Sequence, residues 1–239
     1  MAASTDTLPI AERFVSINGE GLRAGQLSAF IRFAGCSLAC SYCDTAWARD
    51  ASAAAERLTV EELVEWAFAQ PTACITLTGG EPLEQPLLPD LVNALLSHEA
   101  DHPRTIEIET NGAHDVADLV ALRERKPASE RPWNRLSITL DCKLPSSGMA
   151  SAMAPERFAA LGADDAVKFV CGDEEDVRAA KSIIDEQGLT LRTNVLLSPV
   201  FGKMAPAAMV DFMKANAMMR ERLQLQLHKV IWPGAEKGV

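Results

Sequence analysis

The chain has 239 residues, 48 % hydrophobic and 23 % charged, long enough for one domain with a sizeable core that folds without disulfides. Its formal charge of −10, from 23 Lys and Arg against 33 Asp and Glu, disfavours a nucleic-acid backbone or an anionic membrane as main partner, because no basic run offsets the repulsion. The N-terminus lacks the basic-then-apolar order of a signal peptide, and no stretch approaches about 20 uninterrupted apolar residues. The expectation is a soluble, cytoplasmic chain forming one domain over residues 1–239.

Short β-branched or apolar runs recur at 29–33, 74–77, 105–108, 136–140, 166–170, 190–196 and 223–227. Between most of them lie helical periodicities. Leu87, Leu88, Leu91, Leu95 and Leu96 form one apolar face. Val177, Ala180, Ile183 and Ile184 form another, after an acidic first turn of Asp173, Glu174 and Glu175. Ala208, Val210, Phe212 and Met213 follow the sixth run, and 126–134 reads as a loop. Strand–helix alternation at this spacing predicts a parallel α/β sheet, and about six units are too few to close an eightfold barrel. The fold class expected is a partial TIM-like (β/α) barrel, whose ligands bind at the C-terminal ends of its strands.

Chemistry concentrates just after those runs. Cys36, Cys40 and Cys43 read C-x3-C-x2-C directly after the first run. Soft sulfur ligands at this spacing suit zinc or an iron–sulfur cluster. Zinc needs a fourth ligand, and the nearest histidine is His98; three thiolates alone suit a four-iron cluster with one open iron. A set of buried thiols without a metal is the third reading. Cys74, Cys142 and Cys171 sit in or beside apolar runs and read as small core residues. Thr78-Gly79-Gly80-Glu81-Pro82 follows the second run, and Glu109-Thr110-Asn111-Gly112 ends the third.

The cysteine spacing, with Tyr42 before the last thiol and TGGEP about 35 residues on, resembles the radical S-adenosylmethionine (SAM) superfamily. That resemblance implies a [4Fe–4S] cluster on Cys36, Cys40 and Cys43. It also implies SAM bound near Tyr42, Cys43, Asp44, Gly80, Glu81, Glu109, Asp141, Cys142, Lys143 and Ser198. Four further segments resemble the 7-carboxy-7-deazaguanine synthase family of 7-deazapurine (queuosine) biosynthesis. They are Ile17-Asn18-Gly19-Glu20-Gly21, Arg32 four residues before Cys36, Cys43-Asp44-Thr45, and Gln226-Leu227-His228-Lys229. The loop Asp141-Cys142-Lys143-Leu144-Pro145-Ser146-Ser147-Gly148 departs from that family's usual SPK opening at its first two residues.

The resemblance implies a carbon–nitrogen lyase that contracts 6-carboxy-5,6,7,8-tetrahydropterin to 7-carboxy-7-deazaguanine. Ile17, Asn18, Gly19, Glu20, Arg32, Thr78 and His228 would contact the pterin, and Thr45 would hold Mg²⁺. An electron donor such as flavodoxin and a second copy of the chain are the implied partners. Bland readings stand beside these: Arg32 as an edge-strand charge, Thr45 as a helix cap, His228 as a core histidine. Rival functions are a glycyl-radical-enzyme activating enzyme and a non-catalytic zinc-binding module.

Overall fold

The computed structural model describes residues 6–124 and 134–239; of the expected loop at 126–134, all but Asn134 lies outside them. Nine strands form one sheet: β1 (Leu8–Ile17), β2 (Leu27–Phe33), β3 (Glu56–Leu58), β4 (Cys74–Gly79), β5 (Thr105–Thr110), β6 (Arg135–Cys142), β7 (Ala166–Cys171), β8 (Asn194–Pro199) and β9 (Arg222–Leu223). Their order is β3-β1-β2-β4-β5-β6-β7-β8-β9, so the edges do not meet and the barrel stays open. Pairing is antiparallel where β1 meets β2 and β3, and parallel from β2 through β9.

Helices cross over between the parallel strands: α1 (Val60–Ala69), α2 (Leu88–Ser97), α3 (Ala117–Glu124), α4 (Glu174–Gln187) and α5 (Pro206–Ala215), with a short α6 (Leu227–Ile231) after β9. Their ends follow local chemistry. Thr59 and Glu62 form a reciprocal capping box at α1. Asp173 caps α4, whose acidic first turn suits the helix dipole, and left-handed Gly188 stops it.

The two faces of the sheet differ sharply. Ile75, Leu77, Ile108, Ile138, Phe169 and Leu197 turn outward and pack with Leu91, Leu95, Val177, Ala180 and Ile184 of the helices in one core. The residues between them turn inward and are buried yet polar: Ser28, Thr76, Glu107, Thr139, Lys168 and Ser198 among them.

Several expectations change. β1 and β3 were not anticipated: β1 carries Glu12, Arg13 and Ser16 and a register shift between Ile10 and Glu12, which hide its alternation. The run at 190–196 begins as a 3-10 turn, Leu189–Leu191, and the strand starts at Asn194. The run at 223–227 pairs only over Arg222–Leu223, and Leu227 opens a helix, so His228 sits on α6 rather than at a strand end. On α5 the buried residue is Met209, and Ala208 is exposed. Cys74, Cys142 and Cys171 are buried and unpaired, as core residues should be. Among the described residues no helix is long and apolar enough to cross a membrane.

Candidate functional site

A cleft of about 220 Å³ opens at the C-terminal ends of the parallel strands, where Arg32 (β2), Thr78 (β4), Glu109 (β5), Asp141 (β6) and Lys168 (β7) point inward. Cys36, Cys40 and Cys43 line its rim from the loop after β2, and all three are free thiols. Backbone bonds from Gly35 to Ala48 and from Cys36 to Arg49, both 2.9 Å, hold this loop at its start. At its far end Ser41 N and Oγ donate to Ser147 O and Ser146 O, and the Tyr42 hydroxyl donates to Val170 O at 2.9 Å.

The TGGEP turn packs on that loop. Gly80 N donates to Phe33 O at 2.8 Å and Glu81 N to Gly35 O at 2.6 Å. A Cβ on Gly80 would lie 1.8 Å from Gly35 O, and Gly79 has φ +109° beside Arg32 Cγ. The glycines therefore admit the protein's own backbone, a reason beyond close approach to a ligand. Asn111 Nδ2 donates to Cys36 Sγ at 3.5 Å. Burial raises the Cys36 and Cys40 thiols above their ordinary range, the Asn111 bond opposing at the first and Lys143 at the second.

The side chains of Glu81 and Cys142 are directed away from the cleft. Glu81 is fully buried; its carboxylate accepts from Leu83 N, Thr110 Oγ1 and Asn111 N, which fastens the end of β5 to TGGEP. The Cys142 side chain faces the outer core, because strand alternation places it opposite Asp141. The Asn18 side chain lies beneath the cleft, 1 % exposed, with its amide bonded to Thr76, Glu107 and Cys74.

The N-terminal loop reaches the cleft because the end of the chain holds it there. Gly21 exchanges two bonds with the Gln224 side chain, Gln226 Nε2 donates to Glu20 Oε1 at 2.6 Å, and Leu227 N donates to Gly19 O at 3.0 Å. A Cβ on Gly19 would strike the His228 ring at 2.1 Å. His228 Nε2 and Lys229 Nζ lie 3.5 and 3.3 Å from Asp44 Oδ2. Burial works against the Asp44 charge, but His228, Lys229 and Thr45 outweigh it and hold this carboxyl well below its ordinary range. Thr45 caps no helix through its side chain; its hydroxyl donates to Asp44 and accepts from Arg32 Nη1 at 3.4 Å. Arg32 Nε donates to Glu12 Oε1 at 2.8 Å, and its guanidinium lies over the Phe14 ring. Glu12 thus fixes the fork from behind.

The interior adds two ionic residues that the sequence reading passed over. Lys168 bonds Glu20 Oε2 and stands 3.2 Å from Asp141 Oδ1, while Lys143 holds Asp141 Oδ2 at 2.6 Å. Burial opposes the Lys168 charge, yet Asp141, Glu20 and Glu109 together keep it firmly protonated. Thr78 donates to Glu109 at 2.7 Å. Below them, Glu107 accepts from Asn18 and Thr139. The available signal for both residues was a charge at an inward position of an otherwise apolar parallel strand, TIEIET and AVKFVC.

Burial and the neighbouring Glu109 push the Glu107 carboxyl up to about 8 from its usual 4.5. Between those values the folded chain keeps a proton that the unfolded chain releases, so this group's stabilising share is lost as pH rises through the folded value. Glu107→Gln is expected to flatten that fall. Urea midpoints of both proteins at about pH 6 and about pH 8 check it, since the parent should lose more stability than the variant between them.

The donor set fits an iron–sulfur cluster with SAM beside it: three soft thiols on one rim, next to polar strand ends. Ser198 Oγ is buried without a protein partner. It is paired in register with Val170, a cleft residue, and so shares the inward face. An orphan hydroxyl there suits a polar ligand.

Comparison with known proteins agrees with this geometry. Residues 30–142 match the Radical SAM superfamily model. The 7-carboxy-7-deazaguanine synthase of Clostridium acetobutylicum is 41 % identical over 96 % of this chain and 98 % of its own. That of Chlorobaculum tepidum is 34 % identical over 97 % of each. In fold, the crystal structure of QueE from Escherichia coli aligns with a TM-score of 0.65 at 19 % identity, covering 92 % of this chain and 93 % of that one.

Proposed function

The chain belongs to the 7-carboxy-7-deazaguanine synthase family, and from that premise we propose that it contracts 6-carboxy-5,6,7,8-tetrahydropterin to 7-carboxy-7-deazaguanine with loss of ammonia. The observation that carries the reading is the closure of loop 19–21 by Gln224, Gln226 and Leu227 in the same cleft that the three thiols line. It makes a small-molecule pocket where an activating enzyme would need an open docking face.

When bound, the [4Fe–4S] cluster and SAM supply a 5′-deoxyadenosyl radical; the protein's task is to orient the pterin and exclude water. Cys36, Cys40 and Cys43 would hold the cluster, and Tyr42, Asp44, Gly80, Glu109, Asp141, Lys143 and Ser198 would surround SAM. The Arg32 fork, braced by Glu12, would take the substrate carboxylate with His228, since a planar guanidinium matches it bidentately. Glu20 and Thr78 would meet the polar edge of the pterin, over Ile17 and Gly19, with Asn18 setting the loop from beneath. Thr45 and substrate oxygens would hold Mg²⁺, a hard cation that prefers oxygen. A flavodoxin-like carrier would supply the electron. A second copy of the chain would cover exposed Phe201, Val230 and Ile231.

The direct test is an anaerobic assay with 6-carboxytetrahydropterin, SAM, Mg²⁺ and reductant. Formation of the deazaguanine is expected, and its absence in cluster-loaded protein refutes the reading. Arg32→Ala should raise the pterin KM about ten- to a hundredfold, the worth of a charge-assisted hydrogen bond, while SAM cleavage survives. An unchanged KM removes Arg32 from substrate binding. Thr45→Ala should raise the Mg²⁺ needed for half-maximal rate several-fold, read by titrating the metal in both proteins.

A further inference from the structure

Three carboxylates, Glu20, Glu109 and Asp141, converge on the inner end of the cleft. Glu20 comes from the N-terminal loop proposed to meet the pterin, and Asp141 from the strand end proposed to meet SAM. One cation stands between them. Lys168, on the neighbouring β7, bonds Glu20 Oε2 and lies 3.2 Å from Asp141 Oδ1. The outer oxygens are taken as well, Glu20 Oε1 by Gln226 and Asp141 Oδ2 by Lys143. The result is a chain Gln226–Glu20–Lys168–Asp141–Lys143, buried at Glu20 and Lys168 and half-buried elsewhere, running from one proposed ligand to the other.

From this arrangement we infer that Lys168 is a positioning residue that couples the two subsites, tying the pterin-facing carboxylate to the SAM-facing one so that filling either orders both. The inference rests on the function proposed above and names a residue which that function left unused. Its physical basis is shared ordering. In a buried site the ammonium cannot exchange one carboxylate for water cheaply, so fixing Glu20 fixes Lys168, and fixing Lys168 fixes Asp141. The first ligand meets the ordering cost of the bridge, and the second binds to a site already set. Without the ammonium, like charges at Glu20, Glu109 and Asp141 repel, and the two walls move independently.

The test is anaerobic equilibrium titration of cluster-loaded wild type, Lys168→Met and Lys168→Arg with SAM and with 6-carboxytetrahydropterin, each alone and with the other present. In the wild type each ligand is expected to tighten the other about tenfold, and by the same factor in both directions. Lys168→Met should reduce that factor to below about twofold, and Lys168→Arg, which keeps the charge, should recover part of it. Should Lys168→Met fail to fold, Asp141→Asn reads the same point by weakening the bridge at its other end, and its factor should fall likewise. Wild-type protein that binds both ligands independently overturns the inference, as does Lys168→Met or Asp141→Asn with undiminished coupling. Wild-type protein that binds SAM but never the pterin overturns the proposed function and the bridge together.

Discussion

Alanine at Cys36, Cys40 or Cys43 is expected to abolish turnover and prevent the cluster from assembling, while the fold survives. Each thiol lies on the rim of the cleft rather than in the core: Cys43 is exposed and the other two are half-buried. Cys36 is hydrogen-bonded to the Leu38 backbone and the Asn111 side chain, and none of the three thiols belongs to the hydrophobic core, so removing any of them disturbs little packing. The cluster depends on all three, because a four-iron cube with one open iron has no spare protein ligand. Iron content and visible absorbance after anaerobic reconstitution, together with a urea midpoint near that of the parent, check the expectation. Cys74→Ala is the informative contrast: it lies beneath the site beside Asn18 and Thr76, and should cost stability while leaving the iron in place. A rim variant with four irons and full activity would refute the assignment.

Gly80→Ala is the second large effect, and it acts through backbone. The added Cβ would meet Gly35 O at 1.8 Å and Gly35 C at 2.4 Å, with no flexible side chain to yield. The loop carrying the cysteines must then separate from the TGGEP turn, breaking the 2.6 Å bond from Glu81 N to Gly35 O. Overpacking and the lost hydrogen bond together cost about 2–5 kcal/mol. The separation also pulls on Asn111, and through it on Cys36, because Glu81 holds the end of β5. The expected result is a lowered urea midpoint together with weakened SAM binding. Gly162→Ala is the matched control: its Cβ would meet nothing closer than 3.9 Å, and it should be near neutral. Equal behaviour of the two variants would show that the contact at Gly35 does not hold the loops together.

What was readable beforehand followed from periodicity and spacing. The parallel strands announce themselves because their outward residues are β-branched or aliphatic, and α2 and α4 because their apolar positions fall on one face. The cysteine loop and TGGEP were legible for a similar reason: chemistry restricts which residues stand there. β1 was not, since Glu12, Arg13 and Ser16 break up its apolar residues and a register shift interrupts the alternation. The alternating LQLQL of 223–227 misled because its glutamines face Gly21 and Glu20 instead of prolonging a ladder. The inward or outward orientation of Glu81 and Cys142 was not legible either, because a motif places a residue near a site without fixing where its side chain points. Lys168 and Glu107 went unnoticed because a charge inside a strand reads as an interruption until the strands around it are seen to share a polar interior.

The bonds between residues 19–21 and 224–227 span more than 200 positions of chain. Contacts that distant form late, because closing so long a loop is entropically unfavourable until the intervening strands have assembled. On a ribosome, residues 19–21 emerge more than 200 residues before their partners exist. The thiol loop, by contrast, meets its backbone partners earlier, at Gly80 and Glu81 for its start and at Ser146, Ser147 and Val170 for its far end. Maturation therefore has a direction: the half of the cleft proposed to take the cluster meets its backbone partners first, and the half proposed to meet the pterin is sealed later.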